Sequence, residues 1–378
     1  MTGVCTGLIR RLEIKEPMAS MIYPLKFDPI FQPRIWGGTR LKTLLGKPIP
    51  KIMRKSPVGE SWELADLPPG SVKADSIGAA ADGSLSSRIS NGALAGQTLH
   101  QVLADYKSAF LPDSAGEHFP LLVKFLDAGE DLSVQVHPTA NYAASHEGAH
   151  LKTEAWYILD AVPGARLFKG LMPGVGRRQF VDAISTGKVA GLLRSYPARV
   201  GDCHFLPSGQ IHALGAGILA AEVQTPSDTT FRIFDWNRVG PDGKPRALQI
   251  AEATEVINFN QPPAEALPPG RRIRQFDDVR WTNLVDCDYF HLSRADVAEG
   301  SVPLPSPLRR PQAQVWIVLG GQAVLDWHGQ HSVAFTTGDT LLVPGCQPAE
   351  QGSYLRVVSA LSLLVADLPD RGEKKAEA

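Results

Sequence analysis

Two stretches hold the residue types from which a metal-dependent site can be built. The first, Asp131 to Leu159, reads DLSVQVHPTANYAASHEGAHLKTEAWYIL. Its opening alternates with the period of a strand, so Ser133, Gln135 and His137 share one face and Val134 and Val136 the other. The same alternation in KTEAWYIL groups Lys152, Glu154 and Trp156. The second stretch, GDCHFLPSGQIHALGAG, adds His212. Polar groups aimed inward from apolar strands are costly unless paired. An amide, two imidazoles and a carboxylate can satisfy one another by holding a divalent metal through nitrogen and oxygen. The expected site is therefore Gln135, His137, Glu154 and His212, meeting in space.

Such a set has one formal negative charge and leaves a divalent ion partly positive, able to polarise a carbonyl or hold an enediolate oxygen. Lys152 and Arg232 supply cations for an anionic substrate, the guanidinium especially for a phosphate. Ordinary ion pairs are the competing reading for each. His204, eight residues before His212, competes as a ligand but is expected to be packed or exposed. His146, His150, His328 and His331 lie in turn-like contexts and are expected to be solvated. Trp36, ahead of Gly37 and Gly38, marks a close backbone approach, either as the anchor of a turn or as a pocket wall.

The elements that must position these residues are mainly short strands. The chain's 35 Gly and 30 Pro exceed average usage and suit strands joined by turns. GESWELAD reads as a strand with Ser61 and Glu63 on one face, and FPLLVKFLDAG as a buried strand leading into the first site stretch. CHFLP, IHAL, ILAAEVQ and FRIFDW follow as strands, the third with Glu222 and Gln224 on one face and the last with Arg232 and Phe234 on one side. Residues 67–96 read as loop. Helices are predicted over about 98–110, 178–195 and 248–258 from apolar residues at helical spacing.

The composition bounds the function. At 378 residues, 43% hydrophobic and 20% charged, the chain is long enough for two or three core-bearing units. A formal net charge of -1 argues against a general nucleic-acid or membrane-surface binder, and no apolar run reaches membrane-span length. Cys5, Cys203, Cys287 and Cys346 show no CxxC spacing, which points to a reducing cytoplasm rather than a disulfide framework. Residues 1–20 read as a disordered extension and 369–378 as a charged tail.

A weak internal repeat adds the architecture. QVWIVLGGQAVL from Gln314 echoes EAWYILDAVPGARL, with Trp316 against Trp156, and GDTLLVPGCQPAE from Gly338 echoes GDCHFLPSGQIHA from Gly201. In this register Gln314 matches Glu154 and Ala349 matches His212, so the second copy lacks the ligands. Two related all-β units follow, 21–260 with the site and 261–368 without it.

FQPRIWGG, GESWELAD, FPLLVKFLDAGEDLSVQVHP, KTEAWYIL, GDCHFLPSGQIHALGAGILAAEVQ and SDTTFRIFDWNR together resemble the type I mannose-6-phosphate isomerases in their shorter bacterial form. The resemblance is strong over Tyr23 to Asn258 and weak beyond. It implies two cupin-like jelly-roll barrels with short helical insertions and a zinc-dependent aldose–ketose isomerase. The implied reaction interconverts mannose 6-phosphate and fructose 6-phosphate through a cis-enediol. It makes Gln135, His137, Glu154 and His212 ligands of one zinc per chain. It makes Arg232 the catalytic arginine, Lys152 a catalytic and pocket residue, Ser133 a serine facing the phosphate and Trp36 a pocket aromatic. Lys152 and Glu222 are both open as the base. Ala155, where a cysteine is common, and His204, where an aromatic is common, depart from the family pattern. A cupin acting on another phosphorylated sugar, or a sugar-binding cupin without turnover, are the rival readings.

Overall fold

The computed structural model describes residues 22–73, 76–112, 115–240, 243–260, 273–276, 278–345 and 352–369. The 1–20 extension, Cys5, Cys346, Ala349 and the tail from 370 lie outside the described residues.

The described chain is mainly β with short helices, the cupin-like class expected. A six-stranded antiparallel sheet runs in the order Cys203–Leu206, Glu154–Ala161, Ile218–Gln224, Leu122–Ala128, Ile30–Gly38, Val58–Leu64. A five-stranded sheet runs Leu193–Pro197, Arg166–Leu171, His212–Leu214, Val134–Val136, Phe231–Phe234. The two lie face to face: Leu126, Trp156, Ile158 and Ala220 of the first pack with Leu167 and Leu214 of the second. The six-stranded sheet is also buried on its other face, where Val123, Phe125, Ala155, Tyr157 and Ala221 join the largest core. Burial on both faces explains why its strands read as nearly continuous apolar runs.

A nine-stranded sheet includes Gln314–Trp327, Thr340–Val343 and Tyr354–Asp367, the stretch expected to form the second unit. Leu25–Lys26 pairs with Thr340–Val343, so the first described strand belongs to this sheet. The largest core holds Leu25, Leu99 and Phe125 together with Trp316, Phe335 and Leu363, and so runs through both units.

The repeat is visible as backbone geometry. Gly201 N–H donates to Ile158 O (2.9 Å) and Ile158 N–H to Asp202 O (3.0 Å). Gly338 N–H donates to Val318 O and Val318 N–H to Asp339 O, both at 2.9 Å. Both glycines have left-handed backbones, φ +92° and +88°, a conformation that glycine adopts without a Cβ penalty.

Three sequence expectations change. The predicted 178–195 helix is Arg177–Ser185, a 3₁₀ turn Val189–Leu192 and the strand Leu193–Pro197. Gly187 at φ +68° ends the helix, and Leu193 is buried from a strand instead. The predicted 98–110 helix runs Leu99–Phe110, with Thr98 and Gln101 forming a reciprocal cap, and the 248–258 helix shortens to Ile250–Val256. Within the predicted 67–96 loop, Leu85–Ser86 pairs with Asp66–Leu67 over a small core of Trp62, Leu67, Val72 and Leu85.

Candidate metal centre and active site

The facing sheets bring the predicted ligands together by register. Across the five-stranded sheet His212 lies opposite Gln135, and Gln135 opposite Arg232, so one row presents all three inward. Glu154 opens its own strand, opposite Leu206 on one side and Gln224 on the other. The His137 and His212 rings are 4.8 Å apart between centroids.

Glu154 lies at the centre. Its Oε2 is 3.3 Å from His137 Nε2 and 2.8 Å from Lys152 Nζ, and its Oε1 is 3.1 Å from His212 Nε2. The Gln135 amide nitrogen is 3.3 Å from the same His212 Nε2; turning the amide over presents Oε1 to that point. Each imidazole is oriented from behind, His137 Nδ1 to Thr229 O (3.2 Å) and His212 Nδ1 to Gln210 O (2.9 Å). A carbonyl only accepts, so each Nδ1 carries a proton and each ring turns its Nε2 to the centre.

The three side chains are almost wholly buried. Yet His137 Nε2 and both Glu154 oxygens lack a hydrogen bond of adequate geometry. Buried polar atoms without partners are costly, and here they converge on one point. His137, Glu154 and His212 form a ligand group with atoms within 4.8 Å of one another, and this donor set fits a divalent ion. Burial opposes ionisation of Glu154, but Lys152 and His137 more than offset it and hold its carboxyl well below the usual range. Burial and the adjacent Lys152 push His137 down to about 3, so its ring is neutral and available as a ligand. Burial acts against the Lys152 ammonium, but Glu154 and Glu222 raise it above its ordinary value.

Above the centre lies a cavity of about 740 Å³. Trp36, Ser133, Gln135, Lys152 and Arg232 all line it, so each predicted pocket residue reaches it. Arg232 Nη1 donates to Ala247 O (2.9 Å), while its Nε has no partner. Burial and the nearby Arg246 lower it to about 10, which leaves it charged at neutral pH. Of the two readings offered for Trp36 the pocket wall holds: it lines the cavity from within the strand Ile30–Gly38 rather than from a turn, and its carbonyl accepts from Gly129 and Glu130 N–H. A Cβ on Gly37 would stand 2.6 Å from Gly59 N, and one on Gly38 2.3 Å from the Asp127 carboxylate, so both positions need glycine.

Several residues at the cavity were not singled out in the sequence, Lys124, Glu60, Arg34, Lys73 and Arg246 among them. Lys124 lines the cavity opposite Glu222 in the sheet, Nζ 3.4 Å from Oε2 and 4.7 Å above the Trp62 ring. Trp156 Nε1 donates to Glu222 Oε1 at 2.8 Å. Burial and the Glu154 charge raise the Glu222 carboxyl. Glu60 accepts from Arg34 Nε (2.8 Å) and Trp62 Nε1 (2.7 Å). Arg34, Lys73 and Arg246 complete six cations at the cavity against the carboxylates of Glu60, Asp228 and Glu222, an excess suited to an anion. The available signal was parity: Lys124 interrupts an apolar strand on the face shared with Leu126 and Ala128. Ser61 and Glu63 do share a face as expected, but they turn away from the site: Ser61 Oγ donates to Glu63 Oε1 and Lys47 Nζ to Glu63 Oε2. His204 is buried opposite Trp156, packed rather than ligating. His146 stacks on Tyr142 (3.8 Å) and the His331 ring lies tilted against Tyr23 (4.7 Å), so neither is simply solvated.

The fold and site define a cupin-like protein with a buried nitrogen-and-oxygen metal centre opening on a cationic cavity. Residues 25–162 match the family model for the phosphomannose isomerase type I catalytic domain. The chain is 38% identical over 288 residues to the Probable mannose-6-phosphate isomerase GmuF of Bacillus subtilis, spanning 76% of this chain and 83% of that protein. It is 34% identical over 324 residues to Mannose-6-phosphate isomerase ManA of the same organism, spanning 85% and 93%. The crystal structure of a Bacillus subtilis mannose 6-phosphate isomerase superimposes with a TM-score of 0.77 at 27% identity, covering 92% of this chain and all of that one. The chain belongs to the type I phosphomannose isomerase family and is an enzyme of that class.

Proposed function

We propose that the chain interconverts D-mannose 6-phosphate and D-fructose 6-phosphate through a cis-enediol, with zinc held by Gln135, His137, Glu154 and His212. The observation that carries the reading is the convergence of the buried His137, Glu154 and His212 ligand atoms within 4.8 Å of one another, beneath a cavity lined by Arg232 and Lys152. The relatives named above support the substrate pair. Zinc, when bound, supplies a fixed charge that polarises the sugar carbonyl and hydroxyl oxygens.

The remaining chemistry falls to side chains. A base removes the C2 proton of the aldose as the C1 carbonyl oxygen gains one, giving the enediol; return of a proton to C1 as the C2 hydroxyl loses its own leaves the C2 carbonyl of the ketose. Lys152 is held protonated, which suits it to orient and stabilise an oxyanion rather than to take up the proton. Glu222, buried and raised, is the better proton carrier, with Trp156 fixing Oε1 and Oε2 lacking a hydrogen bond. Arg232, level with Gln135 in the sheet, stabilises the enediolate. Ser133 faces the phosphate and Trp36 walls the sugar. We take 21–260 as the catalytic unit and 261–368 as the second, and a reducing cytoplasm as the compartment.

The test is turnover of mannose 6-phosphate to fructose 6-phosphate before and after chelation, with zinc added back. Activity lost to the chelator and restored by zinc is expected. Arg232→Ala should lose about 10²–10³ in kcat with its zinc retained. Near-normal turnover of that variant removes Arg232 from the mechanism, and chelator-resistant activity removes the metal.

A further inference from the structure

A second cavity, of about 650 Å³, has the opposite character from the first. Asp28, Asp66, Asp82 and Glu117 line it with Arg88 the one lysine or arginine among its lining residues, together with His100 and His118. Asp66, His100 and His118 offer ligand atoms within 4.8 Å of one another. They come from three separate segments: the strand Asp66–Leu67, the first turn of helix Leu99–Phe110 and the loop ahead of strand Leu122–Ala128.

Asp66 is 1% exposed. Its Oδ2 accepts from Phe119 N–H at 3.0 Å, which fixes the carboxylate, and its Oδ1 has no partner. The His100 and His118 Nδ1 atoms lie 3.6 and 3.4 Å from Oδ2, and neither makes a hydrogen bond. Three buried polar atoms thus crowd together without satisfying one another, the pattern also found at the first centre. The rings stack 4.5 Å apart and 18° from parallel. Holding one ion needs a ring to turn, and the His100 side chain, 45% exposed, has room to do so. The helix N-terminus opposes a cation, but weakly beside ligation by two imidazoles and a carboxylate.

We propose that Asp66, His100 and His118 form a second binding site, for a divalent transition-metal ion of the zinc type, that staples the Leu99–Phe110 helix to the sheet. Two nitrogens and one carboxylate select such an ion over magnesium or calcium, which take oxygen ligands. The site is separate from the isomerase centre and does not rest on the zinc assignment there.

The test is zinc stoichiometry by elemental analysis after equilibration of the full chain with micromolar zinc and removal of excess. Two ions per chain are expected for the wild type, and one for His100→Gln and for His118→Gln, each with turnover unchanged. Zinc affinity for the second ion should fall at least tenfold in each variant. Glu154→Gln should keep the second ion, so failure of the first centre is read separately. Wild type with one ion that Glu154→Gln removes, or variants that still bind two, overturn the proposal. One wild-type ion removed by His100→Gln but kept by Glu154→Gln supports it and counts against the first centre.

Discussion

Lys152→Met should destabilise the protein by an amount that depends on whether metal is bound. In the metal-free protein Lys152 is the counter-ion of Glu154, Nζ 2.8 Å from Oε2 with both residues buried. Methionine keeps most of the volume and leaves the carboxylate facing neutral imidazoles. Removing one member of a buried pair costs about 3–5 kcal/mol. With a divalent ion at Glu154 the carboxylate keeps a counter-charge, and the loss should be about 1 kcal/mol. At roughly 2–4 °C per kcal/mol, the midpoint should fall by about 10 °C in chelator and by less than about 4 °C with zinc. The thermodynamic cycle then requires tighter binding: a difference of about 3 kcal/mol corresponds to roughly 10² in zinc affinity. Thermal unfolding in chelator and in zinc, with competition titration for the affinity, measures both sides of the cycle. Equal losses in the two states, or unchanged affinity, would refute a metal centred on Glu154.

Two other outcomes follow from buried titratable groups. Lys169 is fully buried, its Nζ has no hydrogen-bond partner, and burial lowers it to about 8 from 10.5; that difference is worth roughly 3 kcal/mol. Its folded value lies below its unfolded one, so at pH 7 its charge opposes folding, and the opposition fades as pH rises from about 8 toward 10.5. Lys169→Met should therefore raise stability by about 2 kcal/mol at pH 7 and by little near pH 10.5; a lower midpoint at pH 7 contradicts this. His137 is depressed to about 3 from 6.5, by burial and then Lys152. Glu60 is depressed to about 2 from 4.5, Arg34 and Lys124 outweighing burial. Both contribute stability that is full above the unfolded values and lost as pH falls toward the folded ones, His137 from 6.5 downward and Glu60 from 4.5. Thermal midpoints of the metal-free protein should decline below pH 6.5, and a flat profile from 6.5 to 4.5 would remove the His137 part.

What could be read in the sequence follows from where the chemistry sits in each strand. Ser133, Gln135 and His137 stand out because the valines between them face an apolar core and the period of two survives. Lys124 lies in a sheet buried on both faces, where apolar residues fill almost every position and the alternation vanishes. Arg34, Arg246 and Glu60 reach the cavity through tertiary folding that no local pattern encodes. The 178–195 helix is overrun because apolar spacing continues past Gly187, whose left-handed turn redirects the chain. Asp66, His100 and His118 share no strand or helix, so nothing in the linear order joins them.

The second unit explains what the site costs the first. A row across the six-stranded sheet reads Trp62, Lys124, Glu222, Trp156, His204. The matching row of the second unit reads Asn283, Ser293, Val365, Trp316, Leu341. With Val365 where Glu222 would be, the Trp316 indole donates instead to Gln314 Oε1 (3.1 Å), and Gln314 Nε2 donates to Pro307 O (3.1 Å). The residue matching Glu154 is thus satisfied at both ends of its amide and presents nothing to a metal. In the first unit the indole is engaged by Glu222, which leaves the Glu154 carboxylate to the Lys152 ammonium and the two imidazoles. Burying the Glu154–Lys152 charges costs desolvation that a well-packed apolar pair would not, so the first frame keeps its metal ligands at the expense of stability. The second has exchanged them for apolar and self-satisfied groups, and its sheet packs into the core that both units share. Val365→Glu alone should not create a metal centre in the second unit, because Gln314, which matches Glu154, contributes no carboxylate.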